Sequence, residues 1–477
     1  KNFPYRLSIG NRIDNGILKR DQFQRTSVSL NMNPSLLDKT LQIEANMKYV
    51  QTGSFFANRG ALGAAFFDPT QPVYSGTEVY GGYFEWLDNN KPNTLSPRNP
   101  LGLIEQSTDK SRVNRAIANA KLTYNLPSLP SLKAVVNVGG DYSEGTGYTI
   151  TPAASASGYY TQGRYTEYRT SKSNKLFESY LNYNSGTRWS NQTLDVTAGY
   201  SYQDWDTESP NNPAWNENQD SIIQPATAFP FYTRNVLMSY YGRAIYNLNG
   251  KYVVNVSVRR DGSSRFSPET RWGIFPAASA AWIISEEAFM KNSSKINMLK
   301  LRAGWGVTGQ QDGIGDYAYI GNYFQGATTA QYAFGGQYYQ VLRPAGFDAG
   351  LKWETTTSYN IGLDFGFKND RFSGSVDVYQ KDTKDLLATV PVPAGTNFTN
   401  EILTNVGAMQ NRGIEISATY QWLDTQDWSI SSTFAGSFNQ NELISLKNDE
   451  FAAADQVFLS TTLGSFIRGT SAVNFSV

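Results

Sequence analysis

The sequence predicts an all-β protein, a transmembrane antiparallel β-barrel, and three observations carry that expectation. Apolar and polar residues alternate with a period of two along nearly the whole chain. The alternating runs are about ten residues long, enough to cross a bilayer at a tilt and nearly twice an ordinary strand. Short and long connections take turns between them, the layout of a meander with tight turns at one end and long loops at the other.

The strands follow in order. Runs at 5–10 and 25–33 come first. In 39–50, Leu41, Ile43, Ala45, Met47 and Tyr49 share one face, and Gln42, Glu44, Asn46 and Lys48 the other. Runs at 112–125, 132–142 and 175–184 precede 192–203, where Leu194, Val196, Ala198, Tyr200 and Tyr202 alternate with Asp195, Thr197, Gly199 and Ser201. The pair 235–248 and 251–260 is joined by Asn249-Gly250, a strong hairpin dipeptide. After 271–283 comes a helix-like link at 284–297, then 298–308. In 356–368, Tyr359, Ile361, Leu363, Phe365 and Phe367 form one face, and the next run is 371–381. In 411–422 the face is Ile414, Ile416, Ala418, Tyr420 and Trp422, followed by 428–439. A region near 458–467 offers one more. The total is roughly 14 to 16 strands. The long segments at 51–111, 143–174, 204–234, 309–355, 382–410 and 440–457 are expected to be extracellular loops.

The two faces differ as lipid and water require. Polar faces are rich in Asn, Ser, Thr, Gln and charge, suited to a watery lumen. Tyr200, Tyr202, Tyr246, Trp282, Trp305, Tyr420 and Trp422 sit near the ends of apolar faces, where an interfacial girdle belongs.

Composition narrows the function. The 477 residues carry 41 basic and 41 acidic side chains, no His and no Cys, with 30 Tyr, 26 Phe and 10 Trp. Without His or Cys there is no Ser-His-Asp or Cys-His nucleophile, no ordinary zinc site and no disulfide. Balanced charge gives no basic footprint, so no nucleic acid partner is expected. The apolar run Gly60–Phe67 is far too short for a membrane helix. The start, Lys1-Asn-Phe-Pro-Tyr, is no signal peptide and reads as a mature end, a cut end or the interior of a longer protein.

Chemistry-bearing motifs are decoys. Gly304-Trp-Gly-Val-Thr-Gly309 matches a dinucleotide fingerprint as a string, yet Gln310-Gln-Asp-Gly cannot open a helix. Asp312 and Asp316 lack the spacing and closing Glu of a calcium loop. Neither an enzyme nor a cofactor is expected. Aromatic residues in the long segments are the better signal. Tyr83 and Trp86 in Tyr80-Gly-Gly-Tyr-Phe-Glu-Trp86, Trp205 and Trp215, and Tyr338 place rings beside amides and carboxylates, a mixture suited to sugars or peptides.

Several blocks resemble the SusC/RagA-like family of TonB-dependent outer-membrane transporters. They are Val256-Ser-Val-Arg-Arg-Asp-Gly-Ser-Ser-Arg-Phe266, Arg271-Trp-Gly-Ile-Phe-Pro276, Leu299-Lys-Leu-Arg-Ala-Gly-Trp305, Trp353–Asp364, Asp377–Leu387 and Asn405–Glu415. The resemblance implies a nutrient uptake receptor of a Gram-negative, Bacteroidetes-like outer membrane, importing oligosaccharides or oligopeptides. It implies TonB as energy source, a SusD-like surface lipoprotein as lid, a lipid and lipopolysaccharide surround, and a dimer of transporter–lid pairs. Such barrels have about 22 strands and a plug inside. No plug or TonB-box pattern is recognisable in this sequence, so it reads as the middle of a receptor. The alternatives are a passive porin of about sixteen strands and a soluble or surface β-rich glycan-binding protein or hydrolase.

Overall fold

Long strands dominate, and each expected run up to 439 has a counterpart. In a computed structural model, residues 3–445 are described apart from 187–190, 227–229, 292, 328, 393–394 and 396, together with short strands Gln456–Phe458 and Ser465–Ile467. Residues 459–464 of the strand expected near 458–467, and 446–455 of the segment expected at 440–457, lie outside the described residues.

The long strands are β1 (Tyr5–Asn15), β2 (Gln22–Met32), β3 (Leu41–Phe55), β4 (Thr108–Asn125), β5 (Leu132–Thr151), β6 (Arg164–Asn184), β7 (Gln192–Ser209) and β8 (Phe231–Leu248). They continue with β9 (Tyr252–Ser263), β10 (Trp272–Ile283), β11 (Ile296–Gln310), β12 (Glu354–Phe367), β13 (Phe372–Lys384), β14 (Ala408–Asp424) and β15 (Ser429–Ser445). With three short strands they form one 18-stranded sheet. Neighbours in sequence pair antiparallel, from β1–β2–β3–β4 to β8 through β15. No helix among the described residues is long and apolar enough to cross a membrane, which says nothing of strands.

Several strands outrun their expected ends. β6 has 21 residues and β5 has 20. Residues 143–151 and 164–174, expected in a loop, are strand. The reason is physical: in Arg164-Tyr-Thr-Glu-Tyr-Arg-Thr-Ser-Lys-Ser both faces meet water, so the alternation fades while the ladder continues.

The chain divides into two compact units, 1–124 with 136–177 and 203–234, and 125–135 with 178–202 and 235–477. In the first, register sets Leu7–Leu30–Met47 and Ile9–Val28–Tyr49 in rows on one face. In the second, the apolar face carries rings at two levels. Tyr240 meets Trp272 at 6.2 Å at one level and Tyr252 stacks on Trp282 at the other, while Trp305, opposite Ala278 and Tyr359, lies between them. Phe365, Phe367, Phe372, Tyr420 and Trp422 continue the second level as a chain of ring contacts. Trp272 and Trp282 bracket β10, about 33 Å apart along the strand and about 25 Å along the membrane normal at a tilt of about 40°. That is the height of a hydrocarbon band.

The Asn249-Gly250 turn closes as read. Asn249 has φ 56° and Gly250 φ 69°, and Lys251 N–H donates to the Leu248 carbonyl at 3.0 Å. Two positive φ values match the right-handed twist of the flanking strands.

Candidate functional site

The polar face is a charge-paired wall. In the second unit, Arg302 Nη2 donates to Asp364 Oδ1 at 2.7 Å and to Asp377 Oδ2 at 3.1 Å, and Lys300 lies 3.3 Å from Asp364. Gly362 stands between Arg302 and Asp377 in register, and a Cβ there would lie 2.4 Å from Asp377 Oδ1. The glycine leaves room for the guanidinium to cross the strand. In the first unit Lys121 pairs with Glu44 at 3.1 Å.

Between β3 and β4, residues 56–107 fold around one side chain. Asn99 is 2% exposed. Its Oδ1 accepts from Leu101 N at 3.0 Å and Gly102 N at 3.1 Å, capping the helix α1 (Pro100–Gln106), which has Pro at its first position. Its Nδ2 donates to the carbonyls of Val73 at 2.9 Å and Phe84 at 3.2 Å. The other helix end is closed by Arg20, whose Nη1 donates to the carbonyls of Ile104, Glu105 and Ser107. Buried Glu85 accepts from Asn99 N at 3.1 Å, with Arg98 3.7 Å away. Burial pushes its carboxyl above the usual range, against the Asn99 N–H and Arg98.

This frame presents rings. Tyr83 bridges to Tyr74 with centroids 5.6 Å apart, and Trp86 meets Phe84 edge-on at 5.4 Å. Tyr80 packs on Tyr159, Tyr159 on Tyr160, and Tyr160 Oη donates to the Pro92 carbonyl at 2.8 Å. Two loop segments, 73–93 and 159–160, are thereby joined in one aromatic cluster. Tyr83 and Trp86 are half-buried supports within it, whereas Tyr74 and Tyr160 are 62% and 55% exposed. Sequence reading missed those two. Their signal is a ring beside turn residues, in Pro72-Val-Tyr-Ser-Gly76 and Ser157-Gly-Tyr-Tyr160.

The other expected site residues belong to other elements. Trp215 lies in a short strand, Ala214–Trp215, opposite Tyr165 of β6, which stacks on Tyr148 at 6.2 Å. Trp205, expected in a loop, stands inside β7 on the face opposite Tyr200 and Tyr202. Tyr338 belongs to the second unit and is 73% exposed on the hairpin Gln331–Phe334 and Gln337–Gln340.

The block Val256–Phe266 has a packing role. Phe266 is 0% exposed and rests on Trp353 at 5.2 Å, and Phe275 meets Trp353 edge-on at 5.4 Å. Arg265 Nε donates to Asp316 at 3.0 Å, and Trp353 Nε1 to the Arg271 carbonyl at 2.9 Å. Arg259–Phe266 therefore anchors a loop core that also buries Leu351 and Ile314. The fingerprint-like glycines lie inside β11, and a Cβ on Gly309 would strike the Phe275 ring at 2.2 Å.

A sheet with one apolar face bounded by aromatic rows and one charge-paired polar face defines a class, the membrane-spanning β-barrel. The family described as TonB dependent receptor-like, beta-barrel matches residues 47–465. SusC, a TonB-dependent receptor of Bacteroides thetaiotaomicron, is 37% identical over 94% of this chain and 46% of its own length. TonB-dependent receptor P39 of Formosa agariphila is 36% identical over 57% of this chain and 26% of its own. The chain belongs to the TonB-dependent receptor family, in its β-barrel part. It spans less than half the length of these two relatives. The RagAB peptide transporter structure matches 98% of this chain and 52% of that one at TM-score 0.75 and 19% identity, a likeness of fold.

Proposed function

We propose that the chain is barrel wall and loop surface of an outer-membrane receptor that imports oligosaccharides or oligopeptides, driven through TonB and capped by a SusD-like surface lipoprotein. The membrane is the outer membrane of a Gram-negative, Bacteroidetes-like bacterium, and transporter–lid pairs associate as dimers. The observation that carries this reading is the pairing of a charge-lined polar face with a rigid loop cluster of exposed rings. Tyr74 and Tyr160 offer faces for stacking; Tyr83 holds the first, and Tyr159 and the Pro92 carbonyl hold the second. Trp205 and Trp215 in the first unit, and Tyr338 in the second, are further rings that a substrate could stack on. The long segments between β3 and β4, β5 and β6, β7 and β8, β11 and β12, and β13 and β14 face the outside. Import needs no bond making: substrate binds, the lid closes, and pulling by TonB opens the path.

The fold likeness to the structure described as the RagAB peptide importer suits the peptide class, and rings beside amides and carboxylates suit either class. The test uses the full-length receptor in cells growing on a defined oligosaccharide or oligopeptide as sole source. Tyr74→Ala with Tyr160→Ala is expected to slow uptake several-fold without changing receptor abundance. Uptake that persists without TonB, or that is untouched by the double variant, contradicts the reading.

A further inference from the structure

Between Asp316 and Arg343 the sequence carries no charged residue, where the chain's 17% would place about four in a run of that length. Rings and glutamine amides take their place. The second unit builds an antiparallel arm from this stretch. Tyr323–Gln325 pairs with Leu342–Pro344, and Gln331–Phe334 with Gln337–Gln340. Gly326 N–H donates to the Val341 carbonyl at 2.7 Å and Val341 N–H to the Ala330 carbonyl at 3.1 Å, which joins the two ladders. Gln325 Nε2 donates to Gln340 Oε1 at 2.6 Å across the joint. Gly335 and Gly336, with φ 60° and 78°, close the tip as the two positive-φ residues of a tight hairpin turn.

The tip displays rings on both faces. Tyr332 stands opposite Tyr339, and Phe334 opposite Gln337, so these four share one face; Tyr338, opposite Ala333, takes the other. Tyr332, Phe334 and Tyr338 are each more than two-thirds exposed. Tyr332 and Phe334 lie about 7 Å apart along the strand, and Tyr339 about 5 Å across from Tyr332. Tyr339 Oη donates to Gln337 Oε1 at 3.2 Å, which fixes an amide beside the rings. A ribbon with free edges ordinarily carries charge, Lys above all, that opposes strand addition. This one carries none, so its bare rings suit a partner that presents no charge. Protein interfaces gather rings and Arg into one buried core with a polar rim, and rings on opposite faces of a thin ribbon form no such core. A sugar asks for less: the face of one aromatic ring for its C–H bonds, and amides for its hydroxyls. Tyr, Phe and Gln supply both, and the arm has no cation to hold a uronate or a peptide carboxylate.

We propose that the arm Tyr323–Pro344 is a binding site for a neutral glycan, stacked on the rings of Tyr332, Phe334 and Tyr339 and bonded by Gln337. The proposal rests on the receptor reading given above and narrows its substrate to uncharged oligosaccharides. The test takes the full-length receptor in mild detergent over an array of immobilised neutral oligosaccharides (glucans, mannans, galactans and fructans), uronic-acid oligosaccharides and oligopeptides. Retention is expected on a neutral sugar and not on acidic sugars or peptides. Tyr332→Ala with Phe334→Ala should lower that retention about tenfold or more, whereas Tyr332→Phe should keep most of it. Phe289→Ala removes a ring that is 73% exposed in the turn after β10 and should leave retention unchanged. No neutral sugar retained, equal retention of acidic sugars or peptides, or retention unmoved by the double variant overturns the proposal. A drop as large in Phe289→Ala overturns it too, because retention then follows exposed rings at large. Uptake in cells separates the two levels. Uptake that needs TonB, alongside an array blank for neutral sugars, sinks only the arm; retained neutral sugar with uptake independent of TonB sinks only the receptor reading.

Discussion

Asn99→Ala tests whether the loop cluster is pre-organised. The side chain makes two bonds that cap α1 and two that hold the carbonyls of Val73 and Phe84. Loss of an N-cap costs about 1 kcal/mol. Leaving two part-buried carbonyls to find water adds about 1 to 3 kcal/mol. The sum, about 2 to 4 kcal/mol, falls on local opening, because the four bonds stay within residues 73–102. Hydrogen exchange on the full-length receptor in detergent reads it as a loss of protection over 73–106 of about 30- to 1000-fold. Strands β2 and β3 should keep theirs. Asn99→Asp keeps the Oδ1 cap and loses the two donors, so it should fall between. Unchanged protection in Asn99→Ala, or an equal drop across the sheet, would refute the loop account.

Three further outcomes follow from particular contacts. Glu287, in the turn after β10, accepts from Tyr252 Oη at 2.5 Å, Trp282 Nε1 at 3.1 Å and Lys251 Nζ at 3.1 Å. These bonds, that from Tyr252 foremost, hold its carboxyl down to about 2. A lowered carboxylate stabilises the fold above its ordinary value, and that gain is lost as pH falls toward about 2. Glu287→Gln should flatten the acid limb of thermal stability, and an unchanged limb contradicts this. Phe266→Ala should cost about 3 to 5 kcal/mol in the loop core around Trp353, read as proteolysis near 265–275 and 345–355; resistance equal to wild type contradicts it. Arg302→Met leaves Asp377 without its cation and Asp364 with Lys300 alone, both carboxylates being less than one-fifth exposed. It should cost about 1 to 2 kcal/mol, and Asp377→Asn in the same chain should recover part of it in a thermal melt.

Sequence and structure agree best inside the membrane band. Met47 and Tyr49 against Lys48, or Val254 and Val256 against Asn255, must alternate because lipid touches one face and water the other, so the pattern is written in the residues. Past the bands water wets both faces, and Arg164–Ser173 continues as strand with no periodic mark. The site was legible as residue types and less so as geometry. Tyr83 and Trp86 join the cluster, but their supporting role depends on Asn99 and Tyr160, distant in sequence and brought near by hydrogen bonds. Trp205 read as loop because Asp204, Asp206 and Glu208 surround it, yet the β7 ladder runs on to Ser209. Phe266 carries no mark of burial in its own stretch; its burial depends on Trp353 across the loops. Such long-range partners leave no local trace.

Spin labels placed singly at 252–258 along β9 of the full-length receptor in liposomes test the central claim most directly. The account predicts oxygen accessibility peaking at 254, 256 and 258 and water-soluble nickel accessibility peaking at 253, 255 and 257, out of phase with a period of two. High nickel accessibility at Val254, Val256 and Val258 would contradict a wall with its valine face in lipid.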